Sequence, residues 1–337
     1  MVKKQLKAMV LAAGIGSRLE PLTSCVPKPL VQIAGRPVME HILLLLKKYG
    51  ITEVVSNTYH LGDKLQAYFS DIKEREGITL NFVNEERLSG VAGGIRKCRE
   101  YLEGSTALII MGDALTNVDL GKLYEAHKKA VEEQGAKVTI AQMQIEDTTQ
   151  FGVIVTNEEG RVTSFQEKPK AEEALSNWAN TGIYFFEPEV LDMIPSVEEA
   201  PEYDVAGDLF PKLLANDVYM QAIAVDEDIY WADIGTPKQY IETLKDIASE
   251  KVKFDSFKPL IRTTKISPEA KLTGDNEIGE DTEIAAGAEL RDCVIWDNVK
   301  IGENVKLEEC IVISDVEVSK GETQANKILV AEVPVKA

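Results

Sequence analysis

The sequence predicts an α/β protein with a mostly parallel, Rossmann-like sheet carrying helices on both faces, followed by a small left-handed parallel β-helix. Short apolar segments alternate with amphipathic segments up to about residue 250, which is typical of parallel strands joined by helices. Aliphatic residues then recur every six positions from residue 266, a period that fits neither a helix nor a hairpin. The chain of 337 residues is long enough for two domains.

Five strands are expected in the first region, because five short segments there are rich in apolar and β-branched residues. They are Ala8–Ala13, Glu53–Asn57, Thr79–Val83, Ala107–Met111 and Val138–Gln142. The helices expected between them are Pro37–Tyr49, Gly62–Arg75 and Asp119–Gln134. Ligands of such sheets bind at the carboxyl ends of the strands, so we expect functional residues directly after the predicted strands.

The six-residue period defines the second region. Its aliphatic positions, with a one-residue slip after the fifth, are Ile266, Leu272, Ile278, Ile284, Leu290, Ile295, Ile301, Leu307 and Ile313. Three hexads make one triangular coil, so about three coils are expected. The predicted domains are therefore residues 1–250 and 260–330, joined by Ser249–Pro259. An exposed coil end needs cover, so we expect a homo-oligomer assembled through the β-helix.

Charge and cysteine content exclude several classes of protein. The formal net charge is −19, which argues against nonspecific binding to nucleic acid or to an anionic membrane. The four cysteines are scattered, without the spacing of metal ligands. The sequence shows no signal peptide and no apolar segment of membrane-spanning length. We therefore expect a cytoplasmic protein with neither nucleic acid nor membrane as partner.

Residues 11–30 carry the strongest functional signal of the chain. A turn of small residues around Gly14 and Gly16 follows the first predicted strand, and Arg18 comes next. Lys28 then stands between two prolines, which limit the backbone freedom around it. Glycines let backbone N–H groups approach a phosphate, while Arg and Lys supply a planar donor fork and a compact charge. This combination indicates a site for a triphosphate.

The same segment is neither a P-loop nor a dinucleotide fingerprint, because the glycine and lysine spacings of both fail. It resembles the opening motif of the sugar-1-phosphate nucleotidyltransferases, G-x-G-T/S-R-L-x-P-L-T followed by P-K-P. The matching residues are Gly14, Gly16, Ser17, Arg18, Leu19, Pro21, Leu22, Thr23, Pro27, Lys28 and Pro29. Further motifs of that family follow in order up to about residue 245. The resemblance implies an enzyme that converts an NTP and a hexose-1-phosphate into an NDP-sugar and pyrophosphate.

Motif by motif, the resemblance also implies site residues. The G-D and W-x-D-x-G-T motifs assign the binding of Mg²⁺, the implied cofactor, to Asp113 and Asp233. The catalytic residues it implies are Arg18, Lys28, Asp113, Lys168 and Asp233. The nucleotide-binding residues are Leu11, Ala13, Gly14, Gly16, Ser17, Glu85, Gly90 and Gly112. The residues for the sugar phosphate are Gly152, Glu167, Lys168, Asn180 and Thr181.

Glu85 favours a particular base. A carboxylate suits the N1–H and N2–H₂ donors of guanine, whereas an amide suits the edge of uracil or thymine better. GTP with mannose-1-phosphate is therefore the first expectation. The alternatives are a glucose-1-phosphate uridylyl- or thymidylyltransferase, and a regulatory relative that has kept the fold and lost the chemistry.

Overall fold

The computed structural model describes residues 5–252, 254–257 and 263–330. Residues 253, 258 and 259 of the expected linker, and 260–262 of the expected second domain, lie outside the described residues. The helices are α1 (Leu22–Cys25), α2 (Val38–Lys48), α3 (Gly62–Tyr68), α4 (Ile72–Glu76), α5 (Gly90–Lys97), α6 (Arg99–Leu102), α7 (Leu120–Gln134), α8 (Pro188–Asp192), α9 (Phe210–Ala215) and α10 (Pro237–Ala248).

Thirteen described strands precede the coils. They are β1 (Leu6–Leu11), β2 (Gln32–Ile33), β3 (Arg36–Pro37), β4 (Glu53–Thr58), β5 (Thr79–Asn84), β6 (Thr106–Met111), β7 (Ala114–Thr116), β8 (Val138–Gln144), β9 (Gly152–Thr156), β10 (Val162–Glu167), β11 (Trp178–Phe186), β12 (Met220–Ala224) and β13 (Trp231–Asp233). All five predicted strands are present among them, within two residues of the expected bounds.

The described residues divide into two compact units. Residues 5–14, 42–112 and 116–231 form the first, which we call the sheet unit. Residues 15–41, 113–115 and the described residues after 231 form the second, which we call the coil unit. The coil unit takes in segments from both sides of residues 250–260, where we expected a boundary, and that boundary stays a prediction.

The sheet unit is built on one sheet of nine strands in the order β10-β9-β11-β6-β1-β4-β5, with β8 pairing β11 and β12. Strands β6, β1, β4 and β5 run parallel. Strand β11 lies antiparallel to β6 and β8. The parallel part with its crossover helices confirms the predicted class, whereas the antiparallel part was not predicted from the alternation of strands and helices.

Burial explains why these strands form the centre of the unit. Strands β1 and β6 are buried almost throughout, and Met9, Ile109 and Phe186 show no exposed surface. Burying an aliphatic side chain of this kind contributes roughly 1.5–3 kcal/mol. Strands β1 and β6, whose carboxyl ends lead to predicted site residues, are therefore held firmly by packing on both faces.

Helix positions differ from the expectation at one place. The helix predicted over Gly62–Arg75 is two helices, α3 and α4, separated at residues 69–71. Ser70 donates its hydroxyl hydrogen to the carbonyl oxygen of Ala67, and the Asp71 carboxylate accepts from the Arg75 side chain. Side chains of this type compete with the helical hydrogen bonds of the backbone, which accounts for the break.

The coil unit contains a parallel β-helix of four coils rather than the expected three. Its strands are β14 (Lys265–Ile266), β15 (Lys271–Thr273), β16 (Glu277–Ile278), β17 (Glu283–Ile284), β18 (Glu289–Arg291), β19 (Val294–Ile295), β20 (Lys300–Ile301), β21 (Lys306–Glu308), β22 (Ile311–Val312), β23 (Glu317–Val318), β24 (Thr323–Ala325) and β25 (Ile328–Leu329). They form three parallel four-stranded sheets. The fourth coil was missed because its inward positions include Gln324, which breaks the aliphatic period.

The register of the coils corrects one predicted position. Ile295 pairs with Val312, so Val312 and not Ile313 occupies the aliphatic position, five residues after Leu307 in a second one-residue slip. Several coil corners hold a residue at positive φ, which Asn and Asp tolerate better than most residues. These corner residues are Asp281, Asp292, Asn298, Asn304, Glu309, Asp315 and Asn326.

Candidate active site

Arg18, Lys28, Asp113 and Asp233 come together within the coil unit, and we call them the cation–carboxylate cluster. The ammonium of Lys28 lies 2.6 Å from Oδ2 of Asp113 and 3.0 Å from Oδ1 of Asp233. Nη2 of Arg18 lies 3.4 Å from Oδ2 of Asp233. These four residues were all predicted as catalytic, and separations of 85 and 205 residues join Lys28 to its two partners.

The loop that carries Lys28 is shaped by close packing at Gly16. Gly16 has φ +73°, and a Cβ there would lie 2.9 Å from the methyl group of Thr23 and 3.2 Å from Cβ of Lys28. The Thr23 hydroxyl donates to the Gly16 carbonyl oxygen at 2.9 Å. Glycine fits here because it adopts a positive φ readily and has no Cβ to enter the occupied space.

Gly235 also leaves space for side chains of the cluster. A Cβ at this position would lie 2.5 Å from Oδ2 of Asp233 and 2.8 Å from Nη2 of Arg18. The glycine of the W-x-D-x-G-T motif therefore leaves the space in which this arginine meets this aspartate.

Burial and charge act on Lys28 in opposite directions. Only 8% of its side chain is exposed, against 49% for Arg18. Desolvation by burial lowers the pKa of Lys28, but the charges of Asp113 and Asp233 outweigh it and raise the pKa above its ordinary value. Lys28 is therefore a charged ammonium at neutral pH, and it lies between two carboxylates.

Asp113 and Asp233 fit the Mg²⁺ that the resemblance implies. One ammonium contacts both carboxylates, so their oxygens flank the same point. Carboxylate oxygens are preferred ligands of Mg²⁺, which usually takes its remaining ligands from substrate phosphates and water. No cluster of three or more His, Cys, Asp or Glu residues suited to a metal occurs within the described parts of the chain. Because the pair supplies only two carboxylates, it fits a metal that completes its ligands with phosphate oxygens and water.

The nucleotide residues predicted on β1 and β6 lie in the sheet unit. Leu11 and Ala13 are buried, and the Gly112 amide donates to the Leu11 carbonyl oxygen at 2.9 Å. A Cβ on Gly112 would lie 2.9 Å from that same oxygen. Gly112 thus lets the carboxyl ends of β1 and β6 approach each other, directly before Asp113.

Glu85 lies at the carboxyl end of β5, and both of its oxygens are engaged within the sheet unit. Oε1 accepts from the side-chain amide of Asn57 at 2.7 Å. Oε2 accepts from the Ser89 hydroxyl at 2.5 Å, and the Lys97 ammonium lies 3.8 Å away. Only 1% of the Glu85 side chain is exposed. The carboxylate therefore faces protein donors in this structure.

Gly90 is fixed by the backbone of a distant segment. It has φ +75°, and a Cβ there would lie 2.5 Å from the carbonyl oxygen of Tyr203. That carbonyl accepts from the Gly93 amide at 2.9 Å, and the Tyr203 amide donates to the Ser89 carbonyl oxygen at 2.8 Å. Gly90 therefore lies against the backbone of Tyr203, and its contact with a nucleotide base stays a prediction.

Two of the predicted sugar-phosphate residues pair across neighbouring strands. Glu167 at the end of β10 lies opposite Gly152 at the start of β9. Lys168 follows with φ +45°, and its amide donates to the Phe151 carbonyl oxygen at 3.2 Å. A lysine in this conformation stores backbone strain of about 1–3 kcal/mol, a cost often found at functional positions. Its exposed ammonium lies 3.4 Å from Oε1 of Glu167.

Asn180 and Thr181 lie side by side on β11 with different partners. The Asn180 amide nitrogen donates to the Tyr184 hydroxyl at 2.8 Å, while its oxygen accepts from the Gly182 amide. The Thr181 hydroxyl donates to the Ala141 carbonyl oxygen at 2.7 Å. Both side chains already hold the strand in shape, and their contact with a hexose stays a prediction.

Two residues with structural importance for these groups were not predicted as site residues. Trp231 donates its indole N–H to the Thr181 carbonyl oxygen at 3.0 Å and packs edge-on against the Phe151 ring at 5.2 Å. Asn57 links Glu85 to β1 through the Ala12 amide. Trp231 could have been selected from its place in the W-x-D motif, and Asn57 only from its place at the carboxyl end of a strand.

A loop with Gly14 and Gly16 after β1, two cations beside a carboxylate pair, a mostly parallel sheet and parallel coils together indicate an α/β enzyme that handles nucleotides. Comparison of the sequence with known families identifies two regions of the chain. The chain belongs to the nucleotidyl transferase family, whose profile matches residues 7–250. Residues 274–325 match the GlmU-like C-terminal hexapeptide family.

Two relatives illustrate the range within the family. The chain is 40% identical over 261 residues to a UTP–glucose-1-phosphate uridylyltransferase of Synechocystis, covering 74% of this chain and 65% of that protein. It is 33% identical over 306 residues to a mannose-1-phosphate guanylyltransferase of Mycobacterium tuberculosis, covering 89% of this chain and 82% of that protein. The matched region thus spans slightly less than two thirds of the Synechocystis relative.

A solved structure supports the fold. A Bacillus anthracis protein, described as a candidate glucose-1-phosphate thymidylyltransferase in complex with sucrose, aligns with a TM-score of 0.63 at 22% identity. The alignment covers 74% of this chain and 98% of that one. Separately, none of the helices in the described residues is long and apolar enough to cross a membrane.

Proposed function

We propose that this chain is a sugar-1-phosphate nucleotidyltransferase, which makes an NDP-sugar and pyrophosphate from an NTP and a hexose-1-phosphate. The observation that carries the proposal is the cation–carboxylate cluster. A single buried ammonium and a half-exposed guanidinium stand beside the two acids that the family motifs assign to metal binding. Such a site can neutralise the charge of a triphosphate during transfer.

In the proposed reaction an oxygen of the sugar phosphate attacks the α-phosphorus of the NTP. The bond from that phosphorus to the bridging oxygen of the β-phosphate breaks, and pyrophosphate leaves with the electron pair. The nucleophile is already ionised at neutral pH, so no general base is required. Catalysis then depends on orientation and on neutralising the charge of two anions that must meet.

Five residues of the chain have a role in that scheme. Mg²⁺, when bound, supplies charge neutralisation at the phosphates, and Asp113 and Asp233 would hold it. Arg18 is exposed enough to take the leaving pyrophosphate, whereas Lys28, buried beside Asp113 and Asp233, would act at the α-phosphate region. Lys168, exposed on its strained turn, would bind the phosphate of the incoming sugar.

For the substrates, we propose UTP and glucose-1-phosphate first, and GTP and mannose-1-phosphate second. The first pair is supported by the Synechocystis relative at 40% identity. The second is supported by relatives named as guanylyltransferases at about 30% identity. This order reverses our expectation from Glu85, because the higher identity to the uridylyltransferase is given more weight than a preference inferred from one side chain.

The experiment that tests the proposal is a grid of pyrophosphate-release assays with Mg²⁺, crossing four or five NTPs with several sugar-1-phosphates. One strong combination is the expected outcome, and it identifies both substrates. A folded protein that releases no pyrophosphate across the grid contradicts the proposal and favours a regulatory relative without chemistry.

Substitution of Arg18 or Asp113 by Ala tests the cluster itself. We expect turnover to fall by about two to three orders of magnitude in each, since a preorganised charge at the transition state is lost. Lys238→Ala serves as the control, because Lys238 is 85% exposed on α10. Near-normal turnover of Arg18→Ala, with melting temperatures unchanged, contradicts the roles given above.

A further inference from the structure

A buried chain of hydrogen bonds joins β1, β4 and β5 at their carboxyl ends, and we call it the Asn57 relay. The Ala12 amide donates to Oδ1 of Asn57 at 3.0 Å, and Nδ2 of Asn57 donates to Oε1 of Glu85 at 2.7 Å. Ser89 completes it through Oε2 of Glu85 at 2.5 Å. Asn57, Glu85 and Ser89 are 2–6% exposed.

Helix α5 leaves room for this relay by means of two glycines. A Cβ on Gly94 would lie 2.5 Å from Nδ2 of Asn57 and 3.1 Å from Oε1 of Glu85. A Cβ on Gly93 would lie 2.7 Å from the Ser89 side chain. Two adjacent glycines weaken a helix by roughly 1 kcal/mol each relative to alanine. The helix therefore accepts a local cost where the relay passes.

A buried carboxylate needs compensation, and here the protein provides it. Glu85 has two hydrogen-bond donors and the Lys97 ammonium at 3.8 Å. Its two oxygens are thus used by groups of the sheet unit. Loss of Asn57 from this network would leave Oε1 of Glu85 without its amide donor, at a cost of about 1–3 kcal/mol for a buried group left unpaired.

We propose that Asn57 is a positioning residue for the nucleotide loop, acting with Glu85. The relay fixes the Ala12 amide, and with it the direction in which the chain leaves β1 towards Gly14. It holds the β5–α5 segment in the same network. This inference rests on the proposed function, because it assumes that the loop after β1 binds the NTP.

The partner-swap pair Asn57→Asp and Glu85→Gln tests the relay. Asn57→Asp puts two carboxylates against each other, and at pH 8.5 we expect UTP or GTP to bind about tenfold more weakly. Glu85→Gln keeps the shape of the side chain but removes the carboxylate that accepts from Asn57, so we expect it to weaken nucleotide binding as well. In the double variant the amide introduced at position 85 can donate to the carboxylate introduced at position 57, so nucleotide affinity should recover most of the loss.

Nucleotide dissociation constants measured by calorimetry are the main readout, with KM for the sugar phosphate as a second. A positioning role raises the Kd and KM for the nucleotide and leaves the KM for the sugar phosphate unchanged. Thr106→Val is the matched control, because the buried Thr106 hydroxyl donates to Glu187 at 2.6 Å at the opposite end of β6. It should lower the melting temperature without changing nucleotide affinity.

Three results would overturn the inference. One is an unchanged nucleotide Kd in folded Asn57→Asp, and another is a double variant that binds no better than the single one. The third is a rise in the KM for the sugar phosphate in Asn57→Asp as large as the rise for the nucleotide, which would mean that the substitution acts on the structure as a whole. If the wild-type chain binds nucleotide but releases no pyrophosphate, the proposed function fails while the relay is still tested by binding.

Discussion

The side chain of Lys28 is the link between the two acids of the cation–carboxylate cluster. It bridges Asp113 and Asp233 with a single ammonium and is 6% exposed. Two neighbouring carboxylates would repel each other without it. The carboxylate pair therefore carries its own counter-cation, and a divalent cation that binds both acids has to displace that ammonium.

Lys28→Met is expected to raise the affinity of the nucleotide-free protein for Mn²⁺ about tenfold or more, because the internal competitor is gone. The same variant should lose turnover, so metal affinity and activity move in opposite directions. Electron paramagnetic resonance of free Mn²⁺ measures the binding without any substrate. Lys238→Met is the control, and weaker Mn²⁺ binding in Lys28→Met would show that the ammonium does not compete with the metal.

At the scale of elements, the β2–β3 hairpin and the first coil are joined by a titratable contact. The carboxyl of Glu277 on β16 accepts from the backbone N–H groups of Gly35 and Ala34, both at the turn of the hairpin. Desolvation raises the pKa of Glu277 to about 7, against the two hydrogen bonds, which lower it. The folded state therefore favours the protonated carboxyl more than the unfolded chain does.

The sign of the pH dependence follows from that shift. A carboxyl with a raised pKa stabilises the fold fully below its ordinary value of 4.5, and this contribution is lost as the pH rises through about 7. Glu277→Gln removes the charge, so we expect its free energy of unfolding to exceed that of wild type at pH 8 by on the order of 1–3 kcal/mol, with little difference at pH 4.5. Urea unfolding at both pH values measures it. A difference that is larger at pH 4.5 would contradict the assignment.

The elements that the sequence predicts well are those with a local pattern. Helix α7 begins after Asp119, whose carboxylate caps the Lys122 amide at 2.9 Å, as its sequence indicates. The coil strands follow from a fixed aliphatic period. The cation–carboxylate cluster could be anticipated from family motifs alone, since nothing in the chain links residues 28, 113 and 233 locally. Asn57 belongs to no motif, and only the neighbouring strand ends bring it to Glu85.

For the molecule as a whole, the coil unit depends on contacts between segments far apart in the chain. The Tyr240 hydroxyl on α10 donates to the Gln32 carbonyl oxygen at 2.5 Å and accepts from the Trp296 indole N–H at 2.9 Å. Tyr240 is completely buried. One hydroxyl thus joins the hairpin region, the last helix and the coils, within the unit that also contains Lys28.

Tyr240→Phe leaves the Gln32 carbonyl and the Trp296 N–H without this partner. We expect a loss of about 1–3 kcal/mol in the free energy of unfolding, together with faster amide exchange in residues 28–37. Hydrogen–deuterium exchange followed by mass spectrometry locates the effect. Tyr101→Phe, at a position that is 42% exposed, is the control. Unchanged exchange in Tyr240→Phe would mean that the coils do not support the loop region.

The homo-oligomer expected through the β-helix stays a prediction at this scale. The described first coil leaves two apolar side chains, Ile266 and Leu272, 36% and 38% exposed. Light scattering of the full chain measures the assembly directly.

The charges on the coils alternate in sign from one coil to the next. One column runs Lys265, Glu283, Lys300 and Glu317, and the neighbouring column begins Lys271, Glu289 and Lys306. Glu283, Lys300 and Glu289 therefore each have opposite charges above and below them, as at Glu289 between two lysines at 3.4 and 3.3 Å. Losing the second coil would stack like charges in both columns, and losing the third would stack Glu283 on Glu317, whereas a change by two coils would restore the alternation. The alternation of charge thus favours a change of two coils over a change of one, so we expect viable insertions and deletions to come in pairs of coils.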